Sequence, residues 1–406
     1  MSRPTVLSTL TLLTLVAAGL AATAQAADWP RYRGPTADGT SDETGLLASW
    51  PDDGPKELWR TELGDGYSGI AIADGRAVTL YADGKDEFAV ALDAVTGRQL
   101  WHVRIDRNRR DGQGDGPRST PTVDGETTYV LSSSGSLHAL AVNDGSRRWS
   151  LDLVDELGAR VPQWGVSTSP IVEGDLLIVD VGGNPGYSLV AFDKATGAVR
   201  WHSNTDKPGY STPLAVTIDG RRQIVSFSGT QVFGVDAGDG ELLWSHPWST
   251  AYDVNAAMPV FLPPNRIFIS SSYDTGAALL QIDGDRALQM WRTRRMKNHF
   301  NSSVLVDGFL YGFDDGTLKC LEAASGEERW GKRGFSKGSL IYADGRLIVL
   351  GERGTLALVD ADPEQYTERA RTQLFRSKTW TMPSLADGRL FVRDQSELVA
   401  LEMAGS

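Results

Sequence analysis

Short apolar runs separated by Asp-Gly recur along almost the whole chain. They read Ile70-Ala71-Ile72-Ala73 before Asp74-Gly75, Pro121-Thr122-Val123 before Asp124-Gly125, and Pro170-Ile171-Val172-Glu173 before Gly174. The unit returns at Ala215 to Gly220, in altered form at Pro259 to Asn265, at Val304 to Gly308, at Leu340 to Gly345 and at Leu385 to Gly388, which makes eight copies. Asp-Gly between apolar runs is a strong hairpin signal, because Gly accepts the positive φ that a tight turn requires. The flanking runs, such as Thr128-Tyr129-Val130-Leu131 and Leu347-Ile348-Val349-Leu350, are β-branched or apolar and too short for helices. Strands are therefore expected throughout. A helical period shows only in the N-terminal leader and over Glu364 to Arg371.

A second block alternates with the first. The pattern Asp-x-x-Thr-Gly-x-x-x-Trp runs from Asp93 through Thr96-Gly97 to Trp101, and again from Asp193 through Thr196-Gly197 to Trp201. Further copies end in Trp244 (Asp236, Gly240) and Trp330 (Glu322, Ser325-Gly326). Weaker ones end in Trp149 (Asn143-Asp144-Gly145) and in Trp291, where Ala287 stands at the Gly position after Asp283. Trp59 is the end of a copy that lacks its first half. Each pair of blocks reads as four antiparallel strands, and one such sheet cannot bury both faces alone. Eight sheets stacked around an axis bury both, at about 47 residues per repeat. The predicted fold is all-β: an eight-bladed β-propeller of four-stranded antiparallel blades. The chain ends on three strands without a Trp strand and begins with an orphan one, so the N-terminal strand is expected to complete the last blade and remove the free edge. The repeat Trp rings are expected to pack between blades.

Composition narrows the rest. The chain has 406 residues, and its net charge of -12 argues against sequence-independent nucleic-acid binding. Cys320 is the single cysteine, so no internal disulfide forms. Residues 1–26 read as a signal peptide with cleavage after Ala24-Gln25-Ala26, residues 27–56 as an extended segment, and residues 57–403 as the propeller. No later stretch has the length and apolarity of a membrane span. The expectation is a periplasmic or secreted monomer. Basic runs at Arg107 to Arg110 and Arg292 to Lys297 read as solvated loop faces.

The Asp-x-x-Thr-Gly-x-x-x-Trp repeat resembles that of PQQ-like (quinoprotein alcohol dehydrogenase-like) propellers, a group that includes the assembly lipoprotein of the β-barrel machinery. The segments Trp29-Pro30-x-x-Arg33-Gly34-Pro35, Pro162-Gln163-Trp164-Gly165, Asn298-His299 and Lys337-Gly338-Ser339-Leu340 look like those of secreted members. For the enzymes among them, the resemblance implies PQQ held between a Trp and a disulfide of adjacent cysteines, with calcium on Glu, Asn and Asp and an Asp as base. The adjacent cysteine pair is missing here, and no calcium set can be matched to this sequence. No cofactor or metal is therefore expected. The reading is a non-catalytic binding or assembly scaffold, whose loop face around the channel takes a protein or a small polar ligand. The alternative is a PQQ-dependent alcohol or sugar dehydrogenase using PQQ with calcium, with Asp253 as its base.

The loops entering each inner strand gather at one end of the axis. They supply the candidate rim residues Tyr67, Arg118, Gln163, Trp164, Tyr210, Asn255, His299, Asn301, Lys337 and Trp380. Convergent polar and aromatic groups at a central concavity form the default ligand site. Three motif matches fail on context. Gly64-x-Gly66-x-x-Gly69 precedes a strand and not a helix, Gly334 to Gly338 lacks a nucleophile-elbow setting, and Asp111-x-Gln113-x-Asp115-Gly116 has Thr122 where a calcium loop needs Glu.

Overall fold

A computed structural model describes residues 28–405. The signal-peptide segment 1–26 lies outside the described residues. Eight four-stranded antiparallel sheets follow one another along the chain. Blade 1 consists of Ala71–Ala73, Arg76–Asp83, Asp86–Asp93 and Gln99–Arg107, and the next six blades repeat this order. The first strands of successive blades touch around the axis. Blade 8 takes its first three strands from Ser384–Ala386, Arg389–Arg393 and Glu397–Glu402, and its fourth from Glu57–Glu62 at the other end of the chain. Trp59 there faces Ala400, and Thr61 faces Leu398. The ring is closed by the N-terminal strand, as the orphan Trp predicted.

In every blade the outermost strand carries one extra residue at the same place. The bulged residues are Leu58, Leu100, Arg148, Arg200, Leu243, Met290, Arg329 and Arg369. In seven blades the residue that follows is the repeat Trp. A bulge bends a strand and re-aims its side chains. Here it turns the indole toward the next blade, where the ring covers the turn Gly and Nε1 donates to the carbonyl three residues before that Gly. Trp59 reaches Ala94 at 3.1 Å, Trp101 reaches Val142 at 2.8 Å and Trp291 reaches Ala323 at 3.1 Å. The Thr-Gly of the repeat follows from this contact. Asp93 Oδ1 accepts from the Thr96 N–H and hydroxyl to set the turn, and a Cβ on Gly97 would come within 2.6 Å of the Trp59 ring.

Two joints differ. The copy proposed at Asp283 to Trp291 is not the repeat turn but a tight hairpin between Gly276–Asp283 and Arg286–Thr293. Blade 5 thus offers no dock, and Trp244 donates to Gln223 Oε1 at 2.8 Å within its own blade. In blade 7 Ala370 takes the Trp position, and the chain termini interrupt the facing turn. Residues 50–54 cover that spot, with Gly54 close against Thr372. The segment read as helical at Glu364 to Arg371 instead enters the strand Glu368–Gln373. The bulge at Arg369 brings Glu368 and Arg371 to one side, 2.7 Å apart, so their three-residue spacing imitates a helical pair.

The apolar cores lie between neighbouring blades. One joins Val78 and Leu80 to Val130 and Leu140, and another joins Leu318 and Tyr311 to Leu347 and Val349. A helix of five residues, Leu153–Leu157, capped by Asp152, leaves blade 2. Residues 28–47 run under the ring on the side of the Asp-Gly turns. Trp29 pairs with Ile72, the Val123 N–H donates to Pro30, Thr40–Ser41 lies parallel to Tyr342–Ala343, and the Leu47 N–H donates to Met403. Arg33, 1% exposed, rises into the axis and donates to Ser303 O at 2.7 Å.

Gly75 and Gly97 share φ = 72°, yet a Cβ on Gly75 meets nothing within 4 Å. Gly75→Ala should cost only the left-handed penalty of about 1 kcal/mol, whereas Gly97→Ala adds overpacking of about 2 kcal/mol. Denaturant unfolding of the two variants checks this, and equal losses refute the dock. Asp180, buried at the end of Leu176–Asp180, accepts from the Ser226 and Ser228 hydroxyls of blade 4 at 2.9 and 2.7 Å. Burial pushes its carboxyl up to about 7. The folded state thus holds a proton that the unfolded state releases near 3.8, and stability from this group falls as pH rises from about 4 to 7. Asp180→Asn should therefore gain in melting temperature relative to wild type between pH 5 and pH 8. A pH-independent difference contradicts this.

Candidate functional site

The loops that lead from each outer strand to the next inner strand all emerge at the end opposite the N-terminal segment. Small hydroxyl residues fill them where the blades converge, because bulkier side chains would collide at the axis. Their bonds tie each blade to the next. Ser68 Oγ donates to Ser119 O at 2.7 Å, and the Thr120 N–H donates to Ser169 Oγ at 2.9 Å. The Ser169 N–H donates to Thr212 Oγ1 at 3.0 Å, Ser211 Oγ to Ala257 O at 3.2 Å, and the Met258 N–H to Ser302 Oγ at 2.8 Å. Asn301 Nδ2 bonds Gly338 O, Ser339 Oγ donates to Thr381 O at 3.3 Å, and Ser384 Oγ closes the circle on Ile70 O at 2.7 Å.

Above this girdle lies a cup of about 340 Å³, lined from all eight loops and floored by Tyr32 of the N-terminal segment. Of the predicted rim residues, Tyr67, Arg118, Trp164, Tyr210, His299, Asn301, Lys337 and Trp380 line it. Two do not. Gln163 points to solvent, and its carbonyl accepts from Arg109 at 3.0 Å. Asn255 is fully buried, bonding Ser228 O at 2.7 Å and accepting from Ser271 Oγ at 2.8 Å. Asp253 stands beside the cup in an ion pair with Lys207 at 3.1 Å.

The cup wall is a continuous arc of rings. Centroid separations are 5.2 Å from Tyr67 to Trp380, 4.9 Å from Trp380 to Phe300 and 5.8 Å from Phe300 to His299. The arc continues through Tyr273 at 5.5 Å, Tyr252 at 5.9 Å, Trp164 at 5.9 Å and Tyr210 at 5.9 Å. Sequence reasoning missed Tyr32, Phe300, Tyr252 and Tyr273. Phe300 adjoins His299 and was within reach of the same argument. Tyr273 sits in a turn between the second and third strands of blade 5, which no reading of the entry loops includes. Tyr252 and Tyr273 hold φ of 64° and 55°, a left-handed conformation that bulky residues rarely adopt.

Three cations approach the cup. Arg118 is held by Asp111 at 2.8 Å and by the Gly114 and Gly116 carbonyls at 2.8 and 2.9 Å, and lies over the Tyr67 ring. The loop that resembled a calcium site is thus organised by an arginine. Lys378, also missed, donates to Gln113 O at 2.8 Å and stands 4.2 Å over the Trp380 ring. Lys337, half-buried, forms no ion pair among the described residues. Burial, with the Lys337 cation beside it, pushes His299 down to about 4, and its Nδ1 has no partner among the described residues. Burial also lifts Tyr67 and Tyr210 to about 12. The other two motif matches are packing features. Gly69 abuts Thr120 and is followed by the strand Ala71–Ala73, and Gly338 opens the strand Gly338–Ala343.

With this geometry in hand, the comparisons are informative. The family profile described as outer membrane protein assembly factor BamB matches residues 39–156, 90–332 and 314–405. The chain belongs to this family. Outer membrane protein assembly factor BamB of Yersinia pestis is 22% identical over 350 residues, covering 84% of this chain and 76% of the relative. The crystal structure of BamB from Moraxella catarrhalis superposes with a TM-score of 0.62 at 15% identity, covering 86% of this chain and 97% of that one. Quinohemoprotein alcohol dehydrogenase ADHIIG from Pseudomonas putida HK5 gives 0.63 at 12% identity, covering 94% and 81%. The two structural likenesses are equal and show the shared PQQ-like propeller fold alone.

His299 should titrate near 4 and not near 6.5, followed by its imidazole NMR signals. Lys337→Gln should move that value upward, since the cation disfavours imidazolium; an unchanged value contradicts the contact.

Proposed function

We propose that the protein is a non-catalytic binding scaffold of envelope assembly, with the cup face as its ligand surface. One observation carries this reading: the cup has an aromatic and cationic lining with no carboxylate in it. A general base must lie within hydrogen-bond reach of the proton it removes. His299 is the lining imidazole, and Asp253 is committed to Lys207 outside the cup. The donor set does not suit calcium-held PQQ either. Among the described residues no three His, Cys, Asp or Glu side chains converge, and Cys320 is buried within blade 6. Family membership supports the assembly role, since the named relatives are assembly factors.

Export to the periplasm fits this role. No helix among the described residues is long and apolar enough to cross a membrane. The interblade docks and the hydroxyl girdle make the ring a rigid frame, suited to presenting a preformed surface. The purified protein should show no dye-linked alcohol or sugar oxidation with added PQQ and calcium. Activity that disappears in Asp253→Asn would overturn the scaffold reading.

A further inference from the structure

We propose that the cup binds a short anionic saccharide, stacking a sugar ring on its aromatic wall and setting the acidic group against Lys337. This deepens the scaffold reading and rests on it. The volume decides the size: about 340 Å³ is at the small end for ligand pockets, so it admits a mono- or disaccharide or a chain end and no folded domain.

The wall decides the chemistry. A sugar ring presents C–H faces to aromatic π-clouds and hydroxyls at its edge. The cup offers both kinds of partner. Trp380 and Trp164 stand in different segments of the ring arc, each half-buried. Two polar atoms of lining residues, His299 Nδ1 and Asn301 Oδ1, have no partner among the described residues, and Asn301 is only 3% exposed. A buried acceptor without a donor costs free energy, and a ligand hydroxyl relieves it. Tyr252 and Tyr273 add a separate indication. Both are kept exposed in a strained backbone conformation, Tyr273 in the lining and Tyr252 outside it, while their rings meet each other and extend the arc. Strain of this sort persists where a side chain must be held at a site.

Charge decides the sign. In a protein of net charge -12, this lining has cations and no acid. Arg118 and Lys378 are engaged by Asp111 and Gln113 O, and the nearby Glu352 carboxylate accepts from Trp380 Nε1 at 2.8 Å. Lys378 is held by a carbonyl and two rings, whereas Lys337 has no ion pair among the described residues, so a carboxylate or sulfate on the sugar completes the site. A peptide of similar size would need main-chain partners, and several inner strands already spend theirs on the N-terminal segment, as Ile72 does on Trp29 and Val123 on Pro30.

Isothermal titration of the full-length protein with digalacturonate, the matching neutral disaccharide and an acidic tripeptide tests this. Digalacturonate should bind, weaken with salt, and lose about tenfold in affinity in Lys337→Gln. Lys337→Arg should retain most of it, Lys332→Gln should leave it unchanged, and Trp380→Ala should abolish it. Thermal melts establish that each variant is folded. No binding of digalacturonate, or binding indifferent to Lys337→Gln, overturns the proposal. Preference for the tripeptide overturns the saccharide and leaves the scaffold standing, whereas PQQ-dependent oxidation removes the scaffold itself.

Discussion

Six of the eight joints between blades are fastened by one indole, whose N–H reaches a carbonyl of the neighbouring blade. In five of them the ring lies over a glycine, as when Trp101 covers Gly145 and donates to Val142 O. This contact explains why Trp and Gly recur in step and why the strand before the Trp is bulged. It also explains why the cores lie between sheets and not within them. A blade separated from its neighbour would expose an aromatic ring and an apolar sheet face together. Burial of such faces is the dominant favourable term in folding, so the ring is stable only as a closed set, and the strand Glu57–Glu62 has to travel from one end of the chain to the other.

Closure then fixes the cup. With most wedges held at their outer edges by indoles and at the axis by hydroxyls, the entry loops have little freedom. Residues from all eight loops therefore reach one central cup. That leaves loop composition to specialise, and here it supplies rings and cations. The N-terminal segment takes part from below, since Tyr32 forms the floor of the cup and Arg33 occupies the axis beneath blade 6. A segment that reads as an extended leader to the propeller is therefore built into it.

The blade number, the strand order, the closure and eight of the ten rim residues were legible in the sequence, because all of them follow from a repeat with a fixed strand period. What escaped is what breaks the period. The blade 5 hairpin at Gly284 replaces the repeat turn, and pattern matching forced Asp283 and Ala287 into a register that they do not have. Tyr273 reaches the cup from a turn between strands, and Tyr252, on a short 3-10 segment, joins the ring arc through Tyr273 and Trp164. Neither position is special in a repeat alignment. Asn255 occupies a rim position by count, yet its amide is consumed by the Ser228 and Trp248 carbonyls. Sequence fixes which loop a side chain leaves from, and only packing decides which way it points.

Fold likeness cannot divide a scaffold from a dehydrogenase here, because the same eight wedges serve both and the superpositions are equally good. What the loops of this chain add to the shared fold is the lining, which carries Arg118 and Lys337 and no carboxylate. Burial, aided by the Lys337 cation, keeps His299 neutral, and Asp111 is drawn back onto Arg118. In a chain of net charge -12, the mouth of the axis thus gathers hydroxyls, rings and cations, while acids such as Asp111 and Asp253 are paired with cations at its margin.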